Sequence, residues 1–149
     1  MVMLNTSPIH IGVPKSWTYA IPATANTARD GTGTITDVTP AAVALTASQT
    51  SRIKIVATGT TTAGMVRIFG FDGTAYRLMH ELSVAAVTPS GTVKAAIAGA
   101  ADGVLSADGY LTLEAPFGGT IAGNIQKIGV STHNAEAFAC HHIGGGDFQ

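Results

Sequence analysis

Cysteine is nearly absent from this sequence. Cys140 stands alone, so no intrachain disulfide can brace the fold, and one thiol suits a reducing assembly site or a protein indifferent to redox state. Aromatic residues make up only 6% of the chain and charged residues 11%, less than half the roughly 25% of an ordinary soluble domain. A free monomer relies on surface charge to stay dispersed. A chain this poor in charge is expected to have much of its surface covered by protein in its working state. The formal net charge of -1 supplies no attraction to nucleic acid or to an anionic membrane. Uninterrupted apolar runs fall short of the roughly 18 residues a spanning helix needs. The opening MVMLNTSPIHIGVPKSW has no basic stretch followed by an apolar one, so no signal peptide is predicted.

Catalytic signatures are missing as well. There is no Gly-x-Ser-x-Gly elbow, no phosphate-binding glycine loop and no closely spaced carboxylate pair. Five histidines, His10, His80, His133, His141 and His142, are the only hint of site chemistry. His141 and His142 are adjacent and would point to opposite faces of a strand. Cys140 and His142 would share a face, but two ligands fall well short of a tetrahedral zinc set. Four Asp-Gly pairs, at 30-31, 72-73, 102-103 and 108-109, lack the Asp-x-Asp-x-Asp-Gly run of a calcium loop and read as turns. Gly144-Gly145-Gly146-Asp147-Phe148 superficially matches a nucleotide-cyclase motif, yet nothing around it has α/β character. The expectation is a non-enzyme with no cofactor and no metal, and with Cys140 as a buried, inert thiol.

What the chain does contain is β pattern. Its 149 residues suffice for one domain with a real core. The central stretch, Arg52 to Val84, predicts three strands. Val66, Ile68 and Gly70 alternate with Met65, Arg67 and Phe69 ahead of Asp72-Gly73. Tyr76, Leu78, His80, Leu82 and Val84 then alternate with Arg77, Met79, Glu81 and Ser83. Alternation on both sides of Asp-Gly predicts a hairpin. With Phe71-Asp72-Gly73 as a three-residue loop and Gly73 left-handed, Ile68 would pair with Tyr76. The even-numbered side chains would then form the apolar face, leaving Arg67, Arg77 and Glu81 on the other.

Elsewhere, alternating Thr32, Thr34, Thr36 and Val38 predict a strand ended by Pro40, and Val43–Thr46 a short one. The loop 58–64 has no apolar anchor and reads as a rim connection. Val93–Ile97 is assigned as a strand on the strength of its neighbours, and Tyr110–Glu114 as another. Ile125–Ser131 and Glu136–His142 predict a last hairpin around His133-Asn134, with Ile128, Val130, Phe138 and Cys140 pointing inward. Eight or so short strands with turns between predict an all-β fold, a single antiparallel β-sandwich of jelly-roll type, or a small barrel. Residues 29–143 would make that domain. Residues 1–28, broken by Pro8, Pro14 and Pro22, read as an extended N-terminal arm. The glycine-rich 144–149 read as a flexible tail. Trp17 and Tyr19 would anchor the arm, on its own domain or on a neighbouring subunit.

Two stretches carry a family resemblance. Ala57 to Phe69, ATGTTTAGMVRIF, with Asp72-Gly73 and Glu81-Leu82, is one. Ser131 to Phe138, STHNAEAF, with the closing Gly145-Gly146-Asp147-Phe148, is the other. In this order they resemble small virion proteins of tailed bacteriophages, over residues 30–149. Asn124–Ile128 departs from that pattern, where a Pro-Gly-aromatic lead would be expected, and leaves head and tail locations both open. The resemblance implies a β-sandwich subunit present in many copies on the particle, assembled in the host cytoplasm. The expected function is a capsid decoration or cement protein, a homo-oligomer whose partners are the major capsid protein or other virion subunits. Neither nucleic acid nor membrane is an expected partner. The alternatives are a tail or head-fibre component, or a glycan-binding attachment module using Trp17, Tyr19, Tyr76 and Tyr110. Met65, Phe69 and Met79 beside Arg67 and Arg77 have the apolar-plus-arginine mix of a protein interface. With Trp17 and Tyr19 they form the candidate interface set. A second sheet of the same chain covering that face is the competing possibility.

Overall fold

Ile53, Ile55 and Ala57 alternate with Arg52, Lys54 and Val56, and the first set is buried at 1–4% exposure. That period of two sends one face of each strand inward and the other out. In the computed structural model, which describes residues 11–39, 51–113 and 123–148, the chain is all-β, with no helix among the described residues. The strands are β1 (Ile11–Ile21), β2 (Thr36–Asp37), β3 (Ser51–Ala57), β4 (Gly64–Phe71), β5 (Tyr76–Val84), β6 (Leu111–Leu113), β7 (Lys127–Thr132) and β8 (Phe138–Phe148). They form two antiparallel four-stranded sheets, ordered β1-β8-β3-β6 and β2-β7-β4-β5. The sheets stack as a sandwich. The pairings nest: β1 with β8, β2 with β7, β3 with β6 and β4 with β5. The β3–β8 and β4–β7 pairs then join the ribbon into its two sheets.

The core lies between them. Ile53, Ile55, Leu111, Leu113, Phe138 and Cys140 meet Val66, Ile68, Leu82, Val84, Ile128 and Val130. Burying each of the larger aliphatic or aromatic side chains contributes roughly 1.5–3 kcal/mol. The inward placement expected for Ile128, Val130, Phe138 and Cys140 is what is found.

Several expectations are corrected. Residues Ile11–Ile21, expected in an extended arm, are the edge strand β1. Residues Gly144–Phe148, expected as a flexible tail, continue β8 and pair with the start of β1. Each supplies the other's backbone hydrogen bonds, which neither proline content nor glycine content reveals. The sandwich therefore reaches beyond the expected 29–143 at both ends. The last two strands are consecutive but not a hairpin: β7 and β8 lie in opposite sheets. The Val93–Ile97 strand reduces to an isolated bridge between Val56 and Ile97, and the Thr32–Val38 strand to Thr36–Asp37. Pro40, Val43–Thr46 and residues 1–10 lie outside the described residues.

The β4–β5 hairpin exists, with a different register. Phe71 pairs with Tyr76, and Ile68 with His80 rather than Tyr76. The loop is Asp72–Ala75, because the Asp72 carboxylate accepts from the backbone N–H groups of Thr74 and Ala75 at 2.9 and 2.8 Å. Gly73 has φ +93° as expected. A β-bulge between Ile68 and Phe69 leaves Met79 without a partner in the ladder. That extra residue reverses the alternation. Met79 packs on the core beside Gly70, while Leu78 is 36% exposed.

Candidate interaction surface

The outer face of the β2-β7-β4-β5 sheet is closed by the chain's own segment between β1 and β2. The Asn26 N–H bonds the Thr132 carbonyl, and its side-chain amide spans the carbonyls of Thr32 and Thr34. Arg67, 1% exposed, donates from Nη1 to the Asn26 carbonyl and from Nε to Glu81 at 2.8 Å. Arg29 donates to the same Glu81 oxygen at 2.7 Å. Burial alone would raise the Glu81 pKa, but the two guanidiniums outweigh it and hold the carboxyl below its ordinary value. Phe69, at 0% exposure, meets Tyr76 edge to face. The approach is so close that a Cβ on Gly129 would lie 2.5 Å from Ile35 and 2.8 Å from the Tyr76 ring.

The candidate interface residues are therefore not one surface. Arg67 and Phe69 are enclosed by their own chain and offer nothing to a partner. Met79, Trp17 and Tyr19 pack against the core cluster, so the Trp17–Tyr19 anchor holds an edge strand to its own sandwich. Burial pushes the Tyr19 hydroxyl pKa up. Met65 stays 37% exposed, and Arg77 is exposed and paired with Asp72 at 2.9 Å. The reason is the segment 22–35, whose polar and small residues showed no pattern that would place it over β4.

The open face is on the other sheet. Across it run Thr18, His141 and Lys54 in one row, and Ala20, Ala139 and Val56 in the next. A third row joins Ser16, Ile143, Arg52 and Thr112. These residues are exposed or half-buried, mostly small, and their only formal charges are positive. The Arg52 guanidinium and the Lys54 ammonium each lie 5.5 Å from the centroid of the Tyr110 ring. Lys54 also donates to the Asp108 carbonyl at 2.9 Å. The alternation of Arg52 and Lys54 with Ile53 and Ile55 was visible as a pattern. Tyr110 arrives from a segment more than fifty positions away, and nothing local announced it.

Parts of the two stretches that carry the family resemblance, Thr58–Thr62 and Asn134–Ala137, meet at one end of the sandwich. The Thr58 N–H and hydroxyl both reach the Ala137 carbonyl at 3.0 Å. The Thr62 N–H and hydroxyl both donate to Glu136 at 2.7 Å, and the Asn134 amide donates to the Thr62 hydroxyl at 2.8 Å. This cluster is a structural clasp, built of neutral hydroxyls and amides around one carboxylate. Among the described residues, no group of three or more His, Cys, Asp or Glu side chains is placed to hold a metal. Compared with models of known protein families and with curated proteins, the chain finds no match.

Proposed function

We propose that this chain is a non-enzymatic structural subunit of a bacteriophage virion, a decoration or cement protein that sits on the outer surface of the head and stabilises the shell. The strand order carries the reading. Nesting β1 with β8, β2 with β7, β3 with β6 and β4 with β5 is the order of a jelly roll. That architecture recurs in viral capsid proteins, as it also does in lectin domains. The clasp between Thr58–Thr62 and Asn134–Ala137 adds support, since two separate parts of the resemblance are in contact there. Low charge density and an open sheet face agree with a subunit whose surface is shared with neighbours.

The glycan-binding alternative has less to work with. Trp17 and Tyr19 face the core, Tyr76 is hydrogen-bonded to Asp37, and Tyr110 carries two cations. All four are half-buried, which leaves less ring face for a sugar to stack on than an exposed platform would. The test is to mix the purified protein with phage heads assembled without it and to image them by electron cryomicroscopy. Regular added density on the outer shell is the expected result. Unchanged heads, or density confined to the tail, would reject the head-decoration reading, and strong signals on a glycan array would favour the attachment module.

A further inference from the structure

Apart from Lys15, the lysines and arginines of this protein fall into two groups. Arg29, Arg67, Arg77 and Lys127 each form an ion pair, with Glu81, Glu81, Asp72 and Asp37. All of these pairs lie on the β2-β7-β4-β5 side. Arg52, Lys54 and Lys94 pair with no carboxylate among the described residues, and they converge on one place. Arg52 and Lys54 flank Tyr110. Lys54 and Lys94 line a groove of about 400 Å³ between β3 and the segment 94–109. Its apolar lining includes Ile97 and Leu105, and Asp108 is the one acid on its wall. Val93 and Val104, next in the chain to lining residues, are 49% and 51% exposed. In a chain with so few charges, two lysines on one half-apolar groove, with Arg52 beside Lys54 at Tyr110 and none of the three ion-paired among the described residues, form a local concentration of positive charge.

We propose that this groove and the adjoining face of β3 receive an extended acidic segment of a partner protein. Its carboxylates would lie against Arg52, Lys54 and Lys94, and an apolar side chain would rest over Ile97 and Leu105. Charge complementarity selects an acidic partner. The apolar lining and the exposed valines select a polypeptide over a phosphodiester chain, whose backbone has no apolar group to place there. The inference rests on charge placement and stands apart from the virion reading, because it is tested on the free protein.

The test titrates the full-length isolated protein with a terminally blocked peptide of alternating Glu and Leu, followed by amide chemical shifts. A Lys-Leu peptide of equal length and an oligothymidylate serve as comparisons. Shifts are expected at Arg52–Lys54 and across 94–110, with affinity falling as salt rises from about 0.05 to 0.3 M. Lys54→Glu with Lys94→Glu should weaken the Glu-Leu peptide by at least roughly tenfold, while Arg77→Gln on the other sheet leaves it unchanged. Thermal melting verifies that the double variant folds. If it does not, Lys54→Gln with Lys94→Gln should show a smaller loss in the same direction. The proposal is overturned by no shifts at millimolar peptide, by shifts elsewhere, by equal binding of the Lys-Leu peptide, or by tighter binding of the oligothymidylate.

Discussion

Trp17 and His142 meet edge to face, ring centroids 5.2 Å apart and planes inclined at 65°, as register partners across β1 and β8. His142 is fully buried, with Nδ1 3.4 Å from the Val38 carbonyl oxygen. Burial disfavours the imidazolium and pulls the pKa down to about 4 from 6.5, although the Val38 contact works the other way. The folded state thus holds His142 neutral where the unfolded chain would protonate it. Its contribution is complete above pH 6.5 and is lost as pH falls towards 4, by about 3 kcal/mol in all. Urea midpoints followed by the emission of Trp17, the single tryptophan, should fall over that window. His142→Gln should flatten the slope there. An unchanged slope in the variant would mean that other groups set the acid sensitivity.

Deleting the chain through Ile21 should unfold the protein rather than trim an arm. It removes β1, and with it the partners of the whole outer edge of β8, leaving Trp17 and Tyr19 absent from the core. Trp17→Ala, a half-buried truncation, should cost about 2 kcal/mol. A β-type circular dichroism spectrum with a cooperative melt in the deletion variant would show that β1 is dispensable.

Cys140 should be silent towards thiol reagents until the protein unfolds. It is fully buried, and desolvation pushes its pKa up to about 12, so the reactive thiolate is negligible at neutral pH. Cys140→Ala should cost about 1–2 kcal/mol as a small core truncation. Rapid labelling without denaturant would contradict the placement of β8.

Phe69 and Gly129 test the closure over β4. Phe69→Glu should fail to fold and Phe69→Ala should cost about 3–5 kcal/mol, since the ring is enclosed by its own chain. Gly129→Ala should cost about 1–3 kcal/mol by forcing Ile35 and Tyr76 apart. Chemical denaturation measures all three. A Phe69→Glu protein that folds normally but loses only self-association would restore the interface role.

The sequence by itself determined that this protein is all-β, and it marked much of the inward face. Side-chain alternation has a period of two, so Ile53, Ile55, Val66, Ile68, Ile128 and Val130 declared their inward face locally. Gly73 declared its turn for a similar reason, because only the local backbone needs to accommodate it. Register was not local: the Asp72 carboxylate closed a longer loop, and the bulge at Met79 reversed half of β5. Tertiary structure alone decided that one outer face is covered and the other open. The alternation from Thr32 onward suggested a strand and not a cover, so the path of segment 22–35 over Arg67 and Phe69 depends on hydrogen bonds to Thr132 and Glu81, which lie far along the chain. The same distance in sequence hid the pairing of Ile11–Ile21 with Phe138–Phe148 and the gathering of Arg52, Lys54, Lys94 and Tyr110. Contacts of that range follow from how the two sheets stack, and no window of neighbouring residues contains them.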